Sequence, residues 1–174
     1  GPAEGAYVSG AASGPALVLQ CHVAERGWLP AGGGGEDGGT TGRGLALQAV
    51  RASLEGAGEG SSVSVAAHVA GIGWQDAASA PSYAGTVGQG RAVQAVRVSL
   101  SGPASERYDV WYRVHAAGYG WLGWAKDGEA AGTEGLGVQA ESLQAVLVEK
   151  GGDAPSAGDP AELSVPSLSL RAHV

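Results

Sequence analysis

The chain has 174 residues, a net charge of −7 and 44% hydrophobic residues, which suits a globular protein long enough to bury a core of its own. Its 10 Lys and Arg form no cluster, so a nucleic-acid partner lacks its electrostatic footprint, and no apolar run approaches the roughly 20 residues of a membrane span. The 32 glycines fall between periodic segments and point to many tight turns, which favours an all-β chain over one with long helices.

Residues 1–16 are mostly Gly, Ala, Ser and Pro with one apolar pair, Tyr7-Val8, and read as a lead-in that adds a short edge strand. The opening Gly-Pro without Met reads as the scar of a domain excised from a larger, multidomain chain. From Leu17 the sequence alternates: Leu17, Leu19, Cys21 and Val23 form one stripe, with His22 on the opposite face, the period of two expected of a half-buried strand. Val63, Val65, Ala67 and Val69 repeat it with His68, and Val110, Tyr112, Val114 and Ala116 repeat it with His115. Cys21 therefore reads as a buried structural thiol, and as the single cysteine it has no disulfide partner within the chain.

Each histidine stands six residues before a tryptophan (Trp28, Trp74, Trp121), and each tryptophan eleven before a Gly-Thr-x-Gly at Gly39, Gly85 and Gly132. A Gln-Ala-Val follows at Gln48, Gln94 and Gln144, nine residues after the glycine in the first two copies and twelve in the third. The Gly-Trp pairs are expected to bend the chain into a second short strand, ten residues of loop or hairpin come next, and Gly-Thr-x-Gly reads as a turn. The third strands are Leu45 to Leu54, Val93 to Leu100 and Leu143 to Val148, apolar on both faces at their centres and so expected to be covered on both sides. Residues 151–161 have linker composition, and the tail, 163–174, carries one more strand, ending at His173-Val174, which is expected to pair with the lead-in.

These are three internal repeats, about 17–56, 63–102 and 108–150, within a single domain over 1–174. The third copy has Trp121, Trp124, Asp127, Gly128 and Ala131 to Thr133, and with the His-Val-x-x-x-Gly-Trp of the earlier copies this resembles the clostridial hydrophobic repeat with a conserved tryptophan, the ChW repeat, in three copies. The resemblance implies a binding module of a secreted or cell-surface protein. The expected architecture is all-β with three-fold pseudosymmetry, β-prism-like, with a β-trefoil as the alternative.

The histidines read as structural groups that fix a bulge or turn by a local hydrogen bond, and no metal or other cofactor is expected. Trp28, Trp74 and Trp121, one per copy, read as core residues, and Gln48, Gln94 and Gln144 as buried amides that satisfy loop backbone. Scattered carboxylates and evenly repeated signature residues argue against an asymmetric catalytic site, so no enzyme activity is expected. Ligand contacts are expected in the loops before and at Gly-Thr: Trp124, Asp127, Gly128 and Thr133 in copy three, Asp37 and Thr40 in copy one, Tyr83 and Thr86 in copy two. Trp124 would stack on a sugar face beside the Asp127 carboxylate. The expected function is lectin-like recognition of polysaccharide or glycoprotein outside the cell or at its surface. The alternative is a protein-interaction module that assembles a cell wall, extracellular matrix or surface complex.

Overall fold

The structure, a computed structural model, describes residues 7–8, 14–155 and 162–164. The long strands fall where the alternation put them. They are β2 (Ala16–Val23), β4 (Leu47–Glu55), β5 (Ser62–Val69), β8 (Val93–Ser101), β9 (Tyr108–Ala116) and β13 (Ala140–Glu149). Short strands lie between them: β3 (Gly27–Trp28), β6 (Gly73–Trp74), β7 (Ala84–Gly85), β10 (Gly120–Trp121), β11 (Ala125–Lys126) and β12 (Ala131–Glu134). The four residues Ala104–Arg107 make the single helix among the described residues, α1.

Three sheets result, one per copy, and each contains a four-stranded antiparallel unit: β3-β2-β4-β7, β6-β5-β8-β12, and β10-β9-β13 with β11 on β9. In β2 and β5 buried and half-buried residues alternate along the whole strand. The inward stripes of all three sheets meet in one apolar cluster that includes Leu17, Cys21, Val65, Val96, Val114 and Leu143. Cys21 lies within it, and burial pushes its thiol up to about 12. Tyr112 is the largest fully buried side chain, and its phenol donates to the carbonyl of Glu129.

Gly-Thr is not a turn, and it joins the copies. Gly85 of copy two pairs with Ala49 of copy one, and Gly132 of copy three pairs with Ala95 of copy two. The cycle closes because the amides of Gly38 and Thr40 in copy one donate to Leu143 and Glu141 of copy three, at 2.8 and 3.1 Å. Glycine is required here by close approach. A Cβ on Gly39, Gly85 or Gly132 would lie 2.3 Å from the carbonyl oxygen of Glu141, Gln48 or Gln94 respectively. The loops between the tryptophans and Gly-Thr thus reach across to the neighbouring sheet, which is how the third strands come to be covered: Gly35 of copy one packs on Val146 of β13.

The two ends pair with different sheets. The lead-in strand β1 (Tyr7–Val8) lies antiparallel on β13, as an edge strand, while β14 (Glu162–Ser164) runs parallel to β12. The described part of the tail therefore does not meet the lead-in, and residues 165–174, with His173, lie outside the described residues. Trp28, Trp74 and Trp121 are not core residues either: all three are half-buried on the outer faces, and the core is filled mainly by aliphatic side chains together with Cys21 and Tyr112.

Candidate functional site

Each sheet carries the same cluster on its outer face, and a β-bulge builds it. In β4 the register slips so that His22 faces Ala49 while Val23 faces Leu47, leaving Gln48 as the extra residue. The same slip leaves Gln94 in β8 and Glu141 in β13. An extra residue turns its side chain out of the ordinary alternation. Here it turns toward the histidine: His68 Nδ1 lies 2.9 Å from Gln94 Oε1, and His115 Nδ1 lies 3.1 Å from Glu141 Oε1. His22 Nδ1 has no hydrogen-bond partner among the described residues.

The tryptophan stands directly across from the histidine, because the hairpin after it is closed by a glycine at positive φ, Gly27, Gly73 or Gly120. Each His–Trp pair is edge-to-face, with ring centres 5.3, 5.3 and 5.2 Å apart. An arginine then lies over each indole. Arg51 and Arg97, three residues after the bulge, stand 4.3 and 4.0 Å from the ring centres of Trp28 and Trp74. In copy three that strand position holds Gln144, and the arginine comes from the opposite strand: Arg113, paired with Gln144, reaches Trp121 at 4.7 Å and Trp124 at 4.8 Å. Gln144 is therefore the counterpart of Arg51 and Arg97, and Glu141 is the counterpart of Gln48 and Gln94. None of the three glutamines is a fully buried amide, and Gln144 bonds side chains, Arg113 and Asp37, instead of loop backbone.

Because the loops cross between copies, each cluster is completed by the next copy. Tyr83 of copy two meets Trp28 of copy one, ring centres 5.5 Å apart. Glu134 of copy three faces Trp74, His68 and Arg97 of copy two. Its hydrogen bond with Glu162, then the Trp74 indole and the charges of His68 and Arg97, hold its carboxyl below the usual range against the effect of burial. Asp37 of copy one accepts a hydrogen bond of 2.6 Å from Gln144 Nε2 of copy three, which in turn accepts from Arg113 Nε at 2.8 Å.

The residues expected to share the copy-three loop are thus distributed. Trp124 shares the Arg113 guanidinium with Trp121, and Asp37 is linked to Arg113 through Gln144. Asp127 lies past β11, in the turn that follows it, at φ +48°. It accepts from the Val110 amide at 2.9 Å, and its carboxyl is pushed up to about 6 by burial and by its hydrogen bond with Asp109. Asp109 is buried. Burial opposes its ionisation, but hydrogen bonds with Asp127, Lys150 and the Gly151 amide, together with the Lys150 charge, outweigh burial and hold its carboxyl below the usual value. Gly128 donates to Val98 of the neighbouring sheet at 2.8 Å. Thr133 is fully buried with its hydroxyl on the Val138 carbonyl, Thr86 is buried, and Thr40 is half-buried with its hydroxyl unpartnered. Asp37 and Tyr83 are exposed. A cleft of about 240 Å³ is lined by Ser99, Leu100, Ser105, Tyr108, Asp127 and Lys150, without Trp124.

The three histidines sit on three different sheets, each against its own tryptophan, and among the described residues no group of three or more His, Cys, Asp or Glu could hold a metal ion. The signal missed in the sequence was the offset of nine residues from the Gly-Thr glycine, which leads to Gln48, Gln94 and Glu141 alike. The likeness of the Gln-Ala-Val letters led to Gln144 instead.

Fold and outer-face clusters define an all-β chain of internal repeats whose copies exchange edge strands. Residues 68–102 and 115–149 match the family model described as ChW, Clostridial hydrophobic W, so copies two and three are ChW repeats. No curated protein and no solved structure matches the chain.

Proposed function

We propose that the chain is a non-catalytic binding module of a secreted or cell-surface protein, with lectin-like recognition of polysaccharide or glycoprotein on the copy-three face. In this reading residues 17–56 are a third ChW repeat, since their register, bulge and His–Trp–Arg cluster repeat those of the matched copies. In the same reading the three sheets form a β-prism-like arrangement, a reading supported by the exchange of Gly-Thr strands between copies. The observation that carries the reading is the grouping of Trp121 and Trp124 around Arg113, with Asp37 and Gln144 at its edge. Indoles offer flat apolar contact to a sugar ring, and the fixed carboxylate and amide orient its hydroxyls.

A protein interface would call for a contiguous apolar patch. The exposed large apolar residues among those described are Ile72, Tyr83, Val87 and Tyr119, distributed over separate turns and one loop. The Asp109–Asp127 pair does not argue for hydrolysis, because one carboxyl is committed to Lys150 at 3.0 Å and the other to the Val110 amide. Weak single-site affinity with avidity from neighbouring modules is the expected mode.

The test is an NMR titration with a panel of neutral oligosaccharides. Binding should shift the indole signals of Trp121 and Trp124 and should be lost in Trp124→Ala and weakened in Asp37→Ala, each first shown to be folded. Unchanged spectra for every glycan, or binding that survives both substitutions, would remove the copy-three face and favour a protein-interaction module.

A further inference from the structure

We infer that the copy-one face is a second saccharide site, selective for an acidic glycan whose carboxylate or sulfate pairs with Arg51 while its ring rests on Tyr83. It rests on the same glycan reading but concerns a different sheet. The three clusters share one plan and differ in charge. Copy two sets Glu134 against Arg97, and copy three sets Asp37 and Glu141 beside Arg113 and His115. Copy one has Gln48 at the bulge and Tyr83 on the incoming loop, and among the described residues no carboxylate is hydrogen-bonded to or ion-paired with Arg51.

Arg51 is held ready. Gln20 Nε2 donates to the Leu29 carbonyl at 2.9 Å, Gln20 Oε1 accepts from Arg51 Nε at 2.8 Å, and the guanidinium lies over Trp28. The chain fixes the plane of the guanidinium through Nε and leaves its two terminal amino groups for an anion, the geometry suited to a bidentate carboxylate or sulfate. Tyr83 is 40% exposed and its ring centre lies 5.5 Å from that of Trp28, so arginine and phenol border the same indole. The net charge of −7 does not forbid an acidic ligand, because exposed charges beyond about 8 Å are largely screened at physiological salt.

The experiment titrates the labelled chain with a galacturonic acid trisaccharide, a sulfated galactose trisaccharide and the neutral galactose trisaccharide. At least one acidic ligand should shift the Trp28 indole and Leu29 amide signals and bind there at least about tenfold more tightly than the neutral sugar, since a charge-assisted pair is roughly twice as strong as a neutral one. Which acidic ligand does so distinguishes carboxylate from sulfate. Arg51→Gln should weaken that binding at least about tenfold, Arg51→Lys less so, and Tyr83→Ala, on an exposed loop, should weaken it with the fold intact. Equal binding of neutral and acidic sugars at Trp28, no shift there with either acid, or an Arg51→Gln affinity equal to wild type would overturn the inference. Neutral sugar shifting only Trp121 and Trp124 would leave the copy-three reading standing alone, whereas acidic sugar shifting only Trp28 would leave the copy-one site standing alone.

Discussion

Exchange of the Gly-Thr strand makes each copy depend on its neighbour, and Gly85→Ala probes that dependence most directly. Gly85 has φ +94°, where an L side chain is strained by about 1–3 kcal/mol. Its Cβ would also stand 2.3 Å from the Gln48 oxygen and 2.8 Å from Ala49 Cα, both backbone atoms that cannot swing away. The strand must lift, weakening the bond of 2.9 Å from the Thr86 amide to the Gln48 carbonyl and its neighbours, each worth about 1 kcal/mol net. The expected loss is about 3 kcal/mol, or roughly 6–12 °C in Tm for a chain of this size. Gly88→Ala is the control: its φ is +81° but no atom lies within 4 Å of a built Cβ, so it bears the conformational strain alone. Urea unfolding followed by tryptophan fluorescence measures both. If Gly85→Ala is no more destabilised than Gly88→Ala, the Gly-Thr strand of copy two does not pack against the bulge of copy one and the exchange is wrong.

Trp74→Ala should lose only about 1–2 kcal/mol, because a half-buried indole gives up part of its area and one cation–π contact, and a loss above about 4 kcal/mol would return it to the core. Asp127 has a folded value of about 6 against an ordinary 3.8, so the folded chain binds more protons across that window and its contribution to stability falls as pH rises through it. Asp109, held low, contributes stability above its ordinary value and loses it as pH falls. Asp127→Asn, which keeps an acceptor for the Val110 amide, should therefore gain on wild type between pH 4 and pH 6 in urea midpoint, and a variant that loses ground over that range contradicts the assignment. Zinc or nickel added to metal-free protein should leave Tm unchanged, since an ion held only by the native state must raise it, and a rise abolished by His68→Ala would show a metal site.

Much of this was legible from local spacing. The stripe Leu17, Leu19, Cys21, Val23 and its two counterparts gave strand, inward face and buried thiol, because a side-chain period of two is a property of the strand itself. The site was less legible. Alternation placed His22, His68 and His115 on the outer face but did not say what would cover the neighbouring Trp28, Trp74 and Trp121, and a repeated tryptophan reads as core when its arginine partner is not seen. The bulge was the second obstacle. It falls nine residues after the Gly-Thr glycine in every copy, while Gln-Ala-Val comes twelve after it in the third, so Gln144 matched Gln48 in letters and Arg51 in strand position.

The sequence by itself determined the three copies, their strands and the residues that must point inward, because these follow from short-range periodicity and fixed offsets. Only the tertiary structure decided that Tyr83, Glu134 and Asp37 belong to clusters on copies one, two and three. A loop reports nothing in its own sequence of the sheet edge it will pair with, and the pairing of Gly39, Gly85 and Gly132 with neighbouring bulges follows from backbone approach between distant segments.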